Sequence, residues 1–255
     1  MNTDPVIGVI GGTGPYAGLD LTRKVLGNTR ACTDVDHLPI VMVSRPAEIP
    51  KRNAFLLGET DVNPGPAIAR VAMTLERADA SVVGMSSNTA HAASIFDLIR
   101  NRLRDAGCGI RLLNMVDETI RFLREYHADC ARIGVLSSLG SYRLRIHQDA
   151  LETAGFETIL PDENVRENIV HRTIFDPSYG IKAHADPISK IARQSLLSAI
   201  DHLRDKGAEA ILLGCADLSL AIPETEIDAV MMIDPTWILA RALIRETYPD
   251  RLKPM

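Results

Sequence analysis

Two short segments of this 255-residue chain carry side chains that could move a proton or hold an anion. Gly214-Cys215-Ala216-Asp217 follows the apolar run Ala210–Leu213, and Ser86-Ser87-Asn88-Thr89-Ala90-His91 follows the apolar run Ser81–Met85. A buried cysteine is usually a small hydrophobe. Cys215, however, is expected at a strand-to-helix junction, where free N–H groups and the helix dipole favour a thiolate. A thiol with a pKa near ~8.5, tuned toward neutrality, can both take and give a proton. Asn88 and Thr89, taken alone, read as helix caps. Cys32, Cys108 and Cys130 lack the junction setting and read as structural. With no C-x-x-C and no Cys/His cluster, the four cysteines predict neither a disulfide framework nor a zinc site.

Gly11-Gly12-Thr13-Gly14-Pro15-Tyr16-Ala17 follows the first apolar run. Gly12, Gly14 and Ala17 satisfy G-x-G-x-x-G/A, the turn that cradles a dinucleotide pyrophosphate. The acidic residue that should end the next strand is absent, since Ser44 is followed by Arg45. A turn whose N–H groups meet a carboxylate is an equally good reading. Pro15 suits the first position of a helix.

These segments need a scaffold, and the chain supplies alternating patterns. Strands are predicted at Val6–Ile10, Pro39–Ser44, Ser81–Met85, Ile110–Asn114, Arg132–Leu136, Thr158–Leu160, Ala210–Leu213 and Ala229–Ile233. Helical periodicity covers Pro66–Arg77, Val116–Tyr126, Ile188–Lys206 and Pro235–Tyr248. Alternation of this kind predicts parallel sheets with helices on both faces and a ligand beyond the carboxyl ends of the strands. The pattern also repeats: Ile7-Gly8-Val9-Ile10 with Gly14 and Tyr16 returns as Ile133-Gly134-Val135-Leu136 with Gly140 and Tyr142, 126 positions on. Ala78–Ser87 likewise resembles Ala208–Cys215, which sets Ser87 against Cys215 at an offset of 128. Two pairs at nearly one offset point to a duplicated half, with two equivalent post-strand positions facing one cleft.

The motifs together resemble the aspartate/glutamate racemase superfamily, most closely its aspartate racemase branch. Gly11–Pro15 matches the family's G-G-x-G-P, and Ile49-Pro50-Lys51-Arg52 with Leu57-Gly58 matches I-P-x-R…L-G. Ser87–His91 matches C-N-T-A-H except at its first residue, and Gly214–Asp217 matches G-C-T-E in part. The similarity runs from about Ile7 to about Ala240. It implies an α/β fold of two pseudo-symmetric lobes, each a four-stranded parallel sheet flanked by helices, with the active site in the cleft between them. Residues 1–113 would form the first lobe, joined by the C-terminal helix 228–255, and 114–227 the second. It further implies racemisation of an acidic amino acid, aspartate before glutamate, without pyridoxal or any other cofactor and without a metal. Position 87 and Cys215 would be the two acid/bases. Asn88 and Thr89 would hold the α-carboxylate, and Arg52 and Lys182 the side-chain carboxylate. Thr13, Ser138, Ala216 and Asp217 complete the expected binding set.

Ser87 stands where the family carries its first catalytic cysteine, and a hydroxyl has no thiolate-like state near neutrality. Three readings remain open: an engineered replacement, a natural hydroxyl with a directional preference, or one-sided chemistry on Cys215 as in the related arylmalonate decarboxylases. A nicotinamide-dependent reductase and a non-catalytic amino-acid-binding protein are the rivals from other classes. The formal charge of −5 gives no case for nucleic acid. No apolar run approaches the ~20 residues of a membrane span, and the N-terminus does not read as a signal peptide. The expectation is a reduced, cytoplasmic, soluble homodimer whose partner is a small acidic amino acid.

Overall fold

The computed structural model describes residues 4–255. Its first half runs β1 (Val6–Gly11), α1 (Pro15–Asn28), β2 (Ile40–Ser44), α2 (Arg52–Leu57), α3 (Gly65–Glu76), β3 (Ala80–Gly84), α4 (Ala93–Asp105) and β4 (Arg111–Leu112). After α5 (Met115–Tyr126) come β5 (Arg132–Leu136), α6 (Leu139–Arg143), α7 (Ile146–Thr153), β6 (Glu157–Ile159), α8 (Arg172–Phe175) and α9 (Lys190–Asp205). The chain closes with β7 (Ala210–Leu213), α10 (Leu218–Ala221), β8 (Glu226–Ile227), β9 (Val230–Ile233) and α11 (Pro235–Thr247).

The first sheet is parallel in the order β2-β1-β3-β4, and the second has the order β6-β5-β7-β9-β8. With β5, β6, β7 and β9 taken as counterparts of β1, β2, β3 and β4, the two orders coincide, as a duplicated half requires. Central strands carry unbroken apolar runs because both faces are covered. In the first lobe Ile10, Val83 and Met85 pack under α3 and α4, while Ile7 and Val9 pack under Leu21 of α1 and Leu239 and Leu243 of α11. In the second, Ile211 and Leu213 pack under Leu196 and Leu203 of α9, while Ile133, Val135 and Leu212 meet Leu123 and Leu151. Truncating one such side chain, for example Leu243→Ala, would cost about 2–5 kcal/mol in transfer and cavity terms.

Two expectations are corrected. The second sheet has a fifth strand: β8 lies antiparallel to β9, with Ile227 opposite Val230. Its hairpin turn is Asp228-Ala229, both at positive φ (47° and 62°), as a two-residue primed turn demands. The expected lobe boundary at 227 also falls inside this sheet. β9 lies beyond the boundary yet pairs in parallel with β7. Only the chain from α11 onward returns to the first lobe, where α11 packs on α1 and β3 and also meets α5 and Leu252 bridges to Thr29. No helix among the described residues is long and apolar enough to cross a membrane.

Candidate active site

In each sheet the strand order reverses between the two central strands, and a crevice opens there at the carboxyl ends. β1 and β3 deliver the turns Gly12–Gly14 and Ser86–Thr89, while β5 and β7 deliver Ser137–Ser138 and Gly214–Asp217. All four turns line one cavity of about 510 Å³. Thr13, Arg52, Ser87, Asn88, Thr89, Ser138, Lys182, Cys215, Ala216 and Asp217, the residues singled out in the sequence, all lie on its wall.

Charge concentrates around Asp217, which is largely buried. Its Oδ2 lies 2.5 Å from Lys182 Nζ and accepts from Cys215 Sγ at 3.5 Å. Lys182 sits on the loop after α8, which is tied down by Ile181 N–H to the Thr173 carbonyl (2.8 Å) and Lys182 N–H to the Ile174 carbonyl (3.1 Å). Its ammonium also lies 5.7 Å from the centre of the Phe175 ring. Arg52 opens α2 and reaches across to donate from Nη2 to the Thr13 carbonyl. Burial weakens its hold on its proton, and the charges of Asp217 and Cys215 oppose that effect.

Ser87 and Asn88 are buried, and Asn88, only 3% exposed, has no hydrogen-bond partner among the described residues on either Oδ1 or Nδ2. Ser138 uses its hydroxyl within the protein, donating to Asn53 Oδ1 at 3.1 Å. That bond joins the second lobe to α2, and Arg143 adds another by donating to the Leu57 carbonyl at 2.9 Å. Asn53 was missed in the sequence, although it adjoins Arg52 in the I-P-x-R segment. His171 and Phe175 also line the cavity. They follow no strand, so no pattern in the sequence marked them.

The expected thiolate is the main reversal. Burial, with Asp217 next and only Lys182 and a backbone bond opposing, pushes the Cys215 thiol up to about 12. The helix expected to lower it is a single turn that begins three residues later, at Leu218. Cys32, read as structural, is instead exposed; all four cysteines are free thiols. The dinucleotide reading also weakens. Gly12 has φ +83°, and a Cβ there would meet the Arg45 backbone nitrogen at 2.8 Å, so its glycine serves the close approach of the protein's own chain. Asp217 Oδ1 lies 3.5 Å from where a Gly14 Cβ would stand, and a carboxylate there repels a pyrophosphate. Among the described residues no group of three or more His, Cys, Asp or Glu could hold a metal ion.

Residues 10–243 match the Asp/Glu/hydantoin racemase family, and the chain belongs to that family. This makes it an isomerase of the amino-acid racemase class. The aspartate racemase of Picrophilus torridus superposes with a TM-score of 0.78 at 26% identity, over 95% of this chain and 94% of that one. An aspartate racemase homologue from Pyrococcus horikoshii gives 0.70 at 22% identity, over 94% and 98%. Glutamate racemase from Francisella tularensis, in complex with D-glutamate, gives 0.64 at 13% identity, over 100% and 85%. At these lower identities the last two speak for the fold alone.

Proposed function

We propose that the protein interconverts the enantiomers of a small acidic amino acid, aspartate before glutamate, by proton abstraction and return at Cα. Cys215 is the acid/base on one face and position 87 its counterpart on the other. Asn88 and Thr89 take the α-carboxylate, Arg52 and Lys182 the side-chain carboxylate, and Asp217 the ammonium. The observation that carries this reading is the Asn88 amide, buried on the cavity wall with neither polar atom partnered among the described residues. Leaving such a group unsatisfied costs about 1–3 kcal/mol, which a bound carboxylate recovers.

The thiolate of Cys215 takes the Cα proton, and the C–H electron pair moves into the α-carboxylate. A proton delivered from the other face then returns that pair to a C–H bond. With the sulfur buried beside Asp217, the thiol is too weak an acid to be ionised at neutral pH. An ammonium drawn to Asp217 offsets the carboxylate's push on the sulfur and so lowers the cost of forming the thiolate, although burial, the larger cause, remains. The reading needs no pyridoxal, and a cytoplasmic homodimer belongs to it.

Ser87 favours one second reading. With a hydroxyl on that face, chemistry served by Cys215 alone would exchange the α-proton with retention. Circular dichroism of L-aspartate, run beside NMR of deuterium incorporation at Cα, separates the two. Inversion with exchange supports racemisation, and exchange without inversion supports the one-sided reading. Neither signal with aspartate or glutamate, or activity unchanged in Cys215→Ala, overturns the assignment.

A further inference from the structure

Two buried histidines lie behind the cavity, and the chemistry above uses neither. His91 closes the short 3-10 turn Asn88–His91 and is 7% exposed; its Nδ1 is 2.9 Å from the Ser87 carbonyl oxygen. His147, on α7 and 2% exposed, has Nε2 3.2 Å from the Gly214 carbonyl oxygen. Each catalytic position thus has one imidazole at the peptide that carries it. The two rings belong to opposite lobes, and α7 packs against the His91 turn across the lobe boundary.

A carbonyl oxygen only accepts, so each ring must donate. Burial outweighs the neighbouring carbonyls and pushes both pKa values down to about 4, which leaves both rings neutral near pH 7. A neutral ring has one N–H; directed at these two carbonyls it sits on Nδ1 of His91, with the Leu113 main chain as a competing partner, and on Nε2 of His147. Gly214 is shaped for this contact. A Cβ there would meet His147 Cδ2 at 2.8 Å and Nε2 at 2.9 Å, and the Leu136 carbonyl at 3.1 Å.

We infer that His91 and His147 are a matched pair of positioning residues, each holding one of the two catalytic turns through a single N–H to a main-chain carbonyl. The inference rests on the reading of positions 87 and 215 as the reacting pair. Each carbonyl also accepts a second bond, Gly214 from the Ser137 hydroxyl at 2.6 Å and Ser87 from the Ala90 N–H at 3.0 Å. Without the imidazole N–H the turn keeps that bond alone, and the side chain it carries is held less firmly.

Thiol alkylation reads this position by position. Peptide mapping after brief iodoacetamide treatment at pH 8 would follow Cys215, together with the second thiol introduced by Ser87→Cys. His147→Leu should quicken alkylation at Cys215 about tenfold and leave position 87 within about twofold, because loss of burial is what frees the thiol. His91→Leu should do the reverse. Rescue should follow the tautomers. Glutamine, whose amide reaches as far as Nε2, should restore slow alkylation at residue 147 while asparagine does not, and the preference should invert at residue 91. Should His147→Leu fail to fold, His147→Asn, whose amide stops short of the Gly214 carbonyl, must give the same change at Cys215. Equal effects of each variant on both thiols, no effect, or rescue indifferent to which amide is used would overturn the proposal. A protein that shows the expected labelling yet racemises no acidic amino acid would instead sink the functional reading and leave the pairing standing.

Discussion

Asp217 holds Lys182 at 2.5 Å with the same carboxylate oxygen that lies 3.5 Å from the Cys215 sulfur. Asp217 raises the thiol's pKa and Lys182 lowers it. Asp217→Asn should lower that pKa and raise the alkylation rate of Cys215 at pH 8 about tenfold, the equivalent of one pKa unit. Lys182→Met should slow the same reaction. A pH series of alkylation rates, resolved by peptide mapping, checks both signs.

In the ligand-free protein, iodoacetamide should label exposed Cys32 well before Cys215. A thiol held near 12 is ionised only about one part in ten thousand at pH 8, which costs roughly a hundredfold or more in rate against an ordinary cysteine. Saturating aspartate should narrow that gap if its ammonium neutralises Asp217, provided reagent access is matched with a non-binding control amino acid. Early and selective labelling of Cys215 without substrate would contradict the burial effect.

Ser87→Cys should raise the rate of inversion at Cα by about 10²–10⁴-fold, the usual contribution of a general acid–base group. Circular dichroism of L-aspartate over time measures it. An unmodified protein already inverting as fast as the variant would show that position 87 needs no thiol.

Arg52→Ala should weaken binding of aspartate far more than that of alanine, by about 2–5 kcal/mol, the range for truncating one side of a buried charge pair. The substitution also frees the Thr13 carbonyl, an effect common to both ligands. Calorimetric titrations with the two amino acids separate the terms, and equal losses would move Arg52 out of the side-chain pocket.

Acid should destabilise the fold through its two buried histidines. Their pKa falls from 6.5 when unfolded to about 4 when folded, so between those values the unfolded chain binds more protons. The stability they contribute is complete above pH 6.5 and is lost as pH falls to 4, by about 3 kcal/mol for each ring. Urea unfolding at several pH values should show this slope, and His147→Gln should flatten part of it.

The sequence alone was enough to locate the parallel strands and the turns that follow them. A strand buried on both faces must be apolar throughout, and the crossover back to a parallel neighbour leaves polar residues at its carboxyl end. Hence Ser87, Asn88 and Cys215 were visible as candidates, and the repeat announced two equivalent sheets. Strand β8 was not legible, because two residues have no periodicity and Asp228-Ala229 lacks the glycine or asparagine that usually marks such a turn. Nor was Asn53, whose contact with Ser138 spans 85 positions. The state of Cys215 was the deeper omission. Its place after a strand argued for a thiolate, but a pKa depends on what desolvates the sulfur and which charges lie within a few ångströms. Asp217 was expected beside it from the sequence and Lys182, 33 residues upstream, from the family resemblance. Their distances from the sulfur and the walls that bury it were set only by the folding of α8, α2 and the facing lobe.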